Sequence, residues 1–185
     1  MFFHFALKCA WSDAGYKAKC SSCPNTNPSC AQKAIHVTSK ECWERHIFEK
    51  YEFGVGENKH INKTEKGKIV ALVTKRPFSD HKNVFGVSCI SEIEKAREFP
   101  EYPPFPACWS DMVHIEPSLT VVVPENIDLN FDAIYKTRWN QGLFRYLSQN
   151  QMLDLLLKLM FEMQKTKSSS EELVKLARLI GMSKT

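Results

Sequence analysis

The sequence predicts an α+β fold, a sheet core flanked by amphipathic helices, and three observations predict it. Two arms rich in β-branched residues, 66–74 and 84–93, stand on either side of a basic loop that contains Pro77. Two further strand-like arms, 112–116 and 119–123, follow. Three capping boxes of the form Ser/Thr-x-x-Glu/Gln, beginning at Thr38, Ser148 and Ser169, each open a run with helical apolar spacing.

Length and composition set the limits. A chain of 185 residues with 43% hydrophobic residues can bury a full core, and a mean hydropathy of −0.33 is that of an ordinary globular domain. No apolar run reaches the roughly 20 residues of a membrane-spanning helix. The N-terminal Phe2-Phe3-His4-Phe5-Ala6-Leu7 lacks the basic region and cleavage site of a signal peptide, so it reads as a first strand and the protein as cytoplasmic. The formal net charge of +4 permits an anionic partner without demanding one.

Taken in order, residues 2–9 form the first strand, and a polar loop follows. Of seven cysteines, Cys9, Cys20, Cys23 and Cys30 lie in the first thirty residues. The Cys20-Ser21-Ser22-Cys23 spacing can grip one metal, and Cys9 and Cys30 would complete a tetrahedral structural zinc site; a disulfide and unrelated free thiols are the alternatives. The helix opened by Thr38 carries Trp43, Ile47 and Tyr51 on one face and is expected to stop at Gly54. Lys66-Gly67 leads into the strand pair, whose connecting loop holds Lys75, Arg76 and Lys82.

Between Phe99 and Ser110 the prolines deny the chain a ladder, leaving a long ordered loop that bears Tyr102, Phe105 and Trp109. These rings either serve function or plug the end of a barrel. Strands 112–116 and 119–123 are broken by Pro117 and ended by Pro124. Lys136, Arg138 and Arg145 then stand among aromatics without a nearby acid, a composition suited to phosphate contact and base stacking. The Ser148 box opens a helix to about Met163 with a broad apolar face, which argues for burial against the sheet. Residues 165–168 read as a linker, and the Ser169 box starts a short helix with a Gly181 stop that leads to a further domain.

The six histidines lack metal-ligand spacing, and no nucleophile elbow, phosphate loop or dinucleotide fingerprint is present. Asp111, His114 and Glu116 read as strand-edge or surface residues. The chain therefore reads as a binding module and not an enzyme.

The element order resembles the PUA-like superfamily in its EVE and YTH branches. Lys66-Gly67-Lys68-Ile69-Val70-Ala71-Leu72-Val73 and Val84-Phe85-Gly86-Val87-Ser88 carry the likeness best, and Ile115 to Pro124 extends it over most of residues 1–163. It implies a small, curved, mixed β-barrel flanked by helices over residues 1–164, with 165–185 as linker and short C-terminal helix. It also implies an aromatic pocket for a modified base. Trp109 matches one wall; Gly56 stands where the family has a second tryptophan, so Trp11 or Phe53 would replace it, with Phe105 and Tyr102 nearby. Lys75, Arg76, Lys82, Lys136, Arg138 and Arg145 would hold phosphates.

Similar domains precede the AAA+ motor of McrB-like subunits in modification-dependent restriction systems, which act with a nuclease subunit. By that likeness the ligand is methylated DNA, with N6-methyladenine as the candidate base, extruded into the pocket at a stacking cost that two or three aromatic faces offset. The alternatives are an RNA-binding PUA-like domain without modified-base specificity and a zinc-stabilised protein-interaction module.

Overall fold

A computed structural model of the protein describes residues 4–9, 47–55, 63–74, 81–95, 111–135 and 144–184. Seven strands within them form one mixed sheet: β1 (His4–Cys9), β2 (Glu52–Val55), β3 (Ile69–Thr74), β4 (Asn83–Lys95), β5 (Asp111–Ile115), β6 (Val121–Val122) and β7 (Phe144–Leu147). Their order is β2-β5-β4-β3-β1-β7, with β6 also on β4. β1 and β3 run parallel, and the other ladders are antiparallel. Among the described residues, 47–50 are helical and three further helices accompany the sheet: α1 (Phe131–Tyr135), α2 (Gln149–Lys165) and α3 (Ser170–Met182). No helix among the described residues is long and apolar enough to cross a membrane.

The unbroken apolar run of β3 has a direct cause, because both faces of this strand are covered. Ile69, Ala71 and Val73 face a core shared with α2 and α3, while Val70 and Leu72 face a second core with Ile47, Phe53, Phe85, Ile90, Val113 and Ile115. A strand buried on both sides reads as continuous apolar sequence. Gly67 supplies the turn before it with φ +85°, and its N–H donates to Ile90 O at 2.9 Å.

β4 curls the sheet. At 13 residues it is long enough to pair β3 through Asn83–Cys89 and β5 through Ile90–Lys95. The ladders shift register once between Leu72 and Val73, opposite Phe85, and once between Ile90 and Glu92, where Ser91 is the extra residue. Each bulge sharpens local twist and bends the strand. β5 and β6 follow one another along the far edge of β4, joined by a 3-10 turn at Pro117–Leu119. The result is a curled sheet with helices, as expected at the level of α+β class.

Several expectations change. The first helix gives way at Tyr51, not Gly54: its N–H closes the last turn on Ile47 O at 2.8 Å, its φ is +56°, and β2 begins at Glu52. Tyr51 O then accepts from Ile115 N at 2.8 Å, so the break docks β2 onto β5. The expected strand 119–123 contracts to Val121–Val122, because Glu116 caps a 3-10 turn through Ser118 N and takes Leu119 out of the ladder. Gly181 does not stop α3, which runs to Met182 and is closed by Ser183 N on Leu179 O at 2.9 Å.

Residues 166–169 make a tight connection between α2 and α3. Thr166 Oγ1 donates to Glu162 O at 3.0 Å, and Ser168 N donates to Met163 O at 2.9 Å. Leu176 and Leu179 are fully buried in the core that α2 covers. The Ser148 box forms as read, with the Ser148 side chain accepting from Gln151 N and the Gln151 side chain accepting from Ser148 N. The Thr38 box and Trp43 lie outside the described residues.

Candidate nucleic-acid interface

β7 closes one end of the strand order, and two cation–aromatic pairs sit on it. Successive strand residues point to opposite faces, so Arg145 and Tyr146 serve different sides of the sheet. The Arg145 guanidinium lies 5.6 Å from the centre of the Tyr135 ring, and Lys63 Nζ lies 5.6 Å from the centre of the Tyr146 ring. Geometry of this kind attracts a cation to the ring quadrupole.

Tyr135 is held from three directions. Its ring tilts against Phe131 at 4.6 Å between centroids, its hydroxyl donates to Gln151 O at 2.9 Å, and Arg145 covers it. Burial pushes the phenol well up, with Asp154 adding to the shift and Arg145 opposing it. Tyr135 is therefore a neutral hydrogen-bond donor at physiological pH. Burial also raises the Tyr146 phenol, whose ring packs against the second core.

The other predicted phosphate ligand among the described residues is differently placed. Lys82 Nζ donates to Asp132 Oδ2 at 3.1 Å, with both side chains largely buried at 14% and 17% exposure. Next to it His81 Nε2 meets Asp128 Oδ1 at 2.7 Å. These pairs, with Phe131 N donating to Lys82 O at 2.7 Å, tie the end of the basic loop to the start of α1. Lys82 thus arrives with its charge matched, whereas Arg145 has no carboxylate at ion-pair distance among the described residues.

Phe53, one candidate for the missing pocket wall, is 1% exposed within the second core. Trp11, Tyr102, Phe105, Trp109, Lys75, Arg76, Lys136 and Arg138 lie outside the described residues, as do Cys20, Cys23 and Cys30 and the side chain of Cys9. No group of three or more His, Cys, Asp or Glu side chains placed to hold a metal occurs among the described residues. Cys89 is buried, and that burial, helped by Glu116, raises its thiol, which keeps it from being a ready nucleophile.

Two features escaped the sequence reading. The Arg145–Tyr135 pair and, on the other face, the Lys63–Tyr146 pair form only through the fold; the interleaving of cations and aromatics was the available signal for the tyrosines, and Lys63 gave none. The second is His114, whose Nε2 lies 2.9 Å from Glu94 Oε2 and whose Nδ1 lies 3.7 Å from Glu52 Oε2. Glu116 caps the 3-10 turn, and Asp111, read as an edge or surface residue, is 3% exposed where β5 begins. The backbone of Asp111 pairs with both β2 and β4, through Val55 and Lys95. No protein-family model matches the chain, and a search of curated proteins finds no match.

Proposed function

We propose that this protein is a nucleic-acid-binding domain that reads a modified base, and that the β7 side of the sheet contributes to phosphate and base contact. The supporting observation is Arg145: a guanidinium without a carboxylate partner among the described residues, laid against Tyr135 on a terminal strand. An arginine in this state can contact phosphate without first surrendering an internal ion pair. Lys136 and Arg138, close by in sequence, add charge of the same sign.

The finer reading follows from the likeness to PUA-like EVE and YTH domains. The ligand is methylated DNA, with the base turned out of the helix against Trp109, Phe105 and Tyr102, and the domain directs an AAA+ restriction motor and its nuclease partner. Methylation adds apolar surface that a dry aromatic pocket rewards. Extrusion costs a few kcal/mol of stacking, and aromatic faces at about 1–3 kcal/mol each offset it.

The test is a binding series with an N6-methyladenine duplex, the same duplex unmodified, and a structured RNA, each over a range of salt. We expect the methylated duplex to bind most tightly and affinity to fall steeply with salt. Arg145→Ala should weaken all three ligands and reduce the salt slope by about 1; Trp109→Ala should remove the methyl preference and keep the slope. Tightest binding to RNA would identify the RNA-binding alternative, and absence of binding to any of the three would reject the nucleic-acid reading.

A further inference from the structure

The turn that feeds β3 gathers positive charge on a fixed backbone. Residues 63–68 run Lys63-Thr64-Glu65-Lys66-Gly67-Lys68, three lysines against one carboxylate. Lys68 N donates to Glu65 O at 3.2 Å with Gly67 at φ +85°, the form of a tight turn that glycine enters without strain. Gly67 N donates to Ile90 O and Ile90 N donates to Lys68 O, both at 2.9 Å, so the turn is pinned to β4. Thr64 is buried, whereas Lys63 and Lys66 are exposed and Lys68 is half-buried. The lysines stand on a backbone that a ligand does not have to order, which removes one cost of binding.

Their charges are unmatched. On the helices, Lys158, Lys165 and Lys175 each meet a carboxylate of their own helix, and Lys82 meets Asp132. None of Lys63, Lys66 and Lys68 has a carboxylate at ion-pair distance among the described residues. A lysine in this state meets an anion without giving up an internal partner.

The turn also has a definite place relative to Arg145. Lys63 Nζ lies 5.6 Å from the centre of the Tyr146 ring, on the residue that follows Arg145 in terminal strand β7. Ile69 N, directly after Lys68, donates to His4 Nδ1 of β1, the strand between β3 and β7. Arg145 and Tyr146 point to opposite faces, so Arg145 and Lys63 approach the same end strand from its two sides. A ligand that touches both has to lie across the outer edge of β7.

We propose that Lys63, Lys66 and Lys68 form a second phosphate-contact site, and that a nucleic-acid backbone passes around the β7 edge with Arg145 on one face and the lysine turn on the other. The inference rests on the nucleic-acid reading and adds the path of the ligand to it. The turn takes phosphate by charge, so it supplies affinity and leaves the choice of base to other residues.

The test is binding of an N6-methyladenine duplex and the same duplex unmodified, over a salt series, to the full chain and its variants. Lys63→Gln with Lys66→Gln should weaken both duplexes by the same factor and reduce the salt slope by about 2, and adding Lys68→Gln should remove about 1 more, at roughly 0.9 per phosphate contact. Lys158→Gln with Lys165→Gln removes the same charge from α2 and should leave the slope unchanged. Unchanged circular dichroism and denaturant midpoint establish that the variants are folded. A slope that survives the triple substitution, or that falls equally in the α2 variant, would overturn the site while leaving the nucleic-acid reading in place. A wild-type chain that binds neither duplex would overturn both.

Discussion

Gly86 sits in the middle of β4 where a methyl group has no room. A Cβ built there lies 2.8 Å from Phe48 Cζ and 3.2 Å from Leu72 Cδ1, and the Phe48 ring is itself set edge-on to Phe85 at 5.9 Å. Gly86→Ala should lower unfolding free energy by about 1–3 kcal/mol, the usual cost of overpacking, measured as a shift of the denaturant midpoint. Phe48→Leu in the same chain should recover part of that loss; if it recovers none, the contact with Phe48 is not the cause. At this scale the sequence spoke unevenly. The Val84-Phe85-Gly86-Val87 run announced a strand, but only packing explains why its third residue lacks a side chain. Phe53 likewise is buried in the second core, a placement that its neighbours in the sequence do not encode.

The helices show why elements are more legible than their ends. The Ser148 box and the apolar face of α2 were readable because capping and helical periodicity are local properties, carried within a few residues. Tyr51 and Gly181 were misread for the complementary reason. A left-handed tyrosine ends a helix only because β5 donates the Ile115 N–H to its carbonyl, and a glycine continues one when the next turn remains hydrogen-bonded. The C-terminal helix is the clearest case. Glu172 Oε2 accepts from Val122 N at 2.8 Å, so the first turn of α3 satisfies an amide of the short strand β6, and Leu176 is fully buried beneath it. Leu176→Ala should cost about 2–5 kcal/mol and leave a single cooperative unfolding transition. A change below about 0.5 kcal/mol, the range of surface substitutions, would place α3 outside the cooperative unit.

At the scale of the whole molecule, stability should fall in acid through one buried residue. His4 is 8% exposed in β1, and its Nδ1 accepts the Ile69 N–H at 2.9 Å, across the parallel β1–β3 ladder. Burial, with Lys68 nearby, pushes its pKa down from 6.5 to about 4. Between those values the unfolded chain takes up a proton that the folded chain refuses. The stability due to the neutral ring is thus complete above pH 6.5 and is lost as pH falls toward 4, by up to about 3 kcal/mol at 1.36 kcal/mol per unit. Denaturant unfolding across that window should show the fall, and His4→Gln should flatten it; an unchanged slope would remove His4 as the source.

The sequence by itself determined the α+β class, both strands of the central pair, the Ser148 and Ser169 helix starts and the mild positive charge, because each rests on neighbours within a turn or a pleat. Tertiary structure alone decided that β1 lies parallel to β3, that β4 serves two ladders, that α3 belongs to the main core, and that Arg145 meets Tyr135 while Lys82 meets Asp132. Those are pairings between residues far apart in the chain. No local preference encodes them, and they arise only when burying both faces of β3 brings distant segments together.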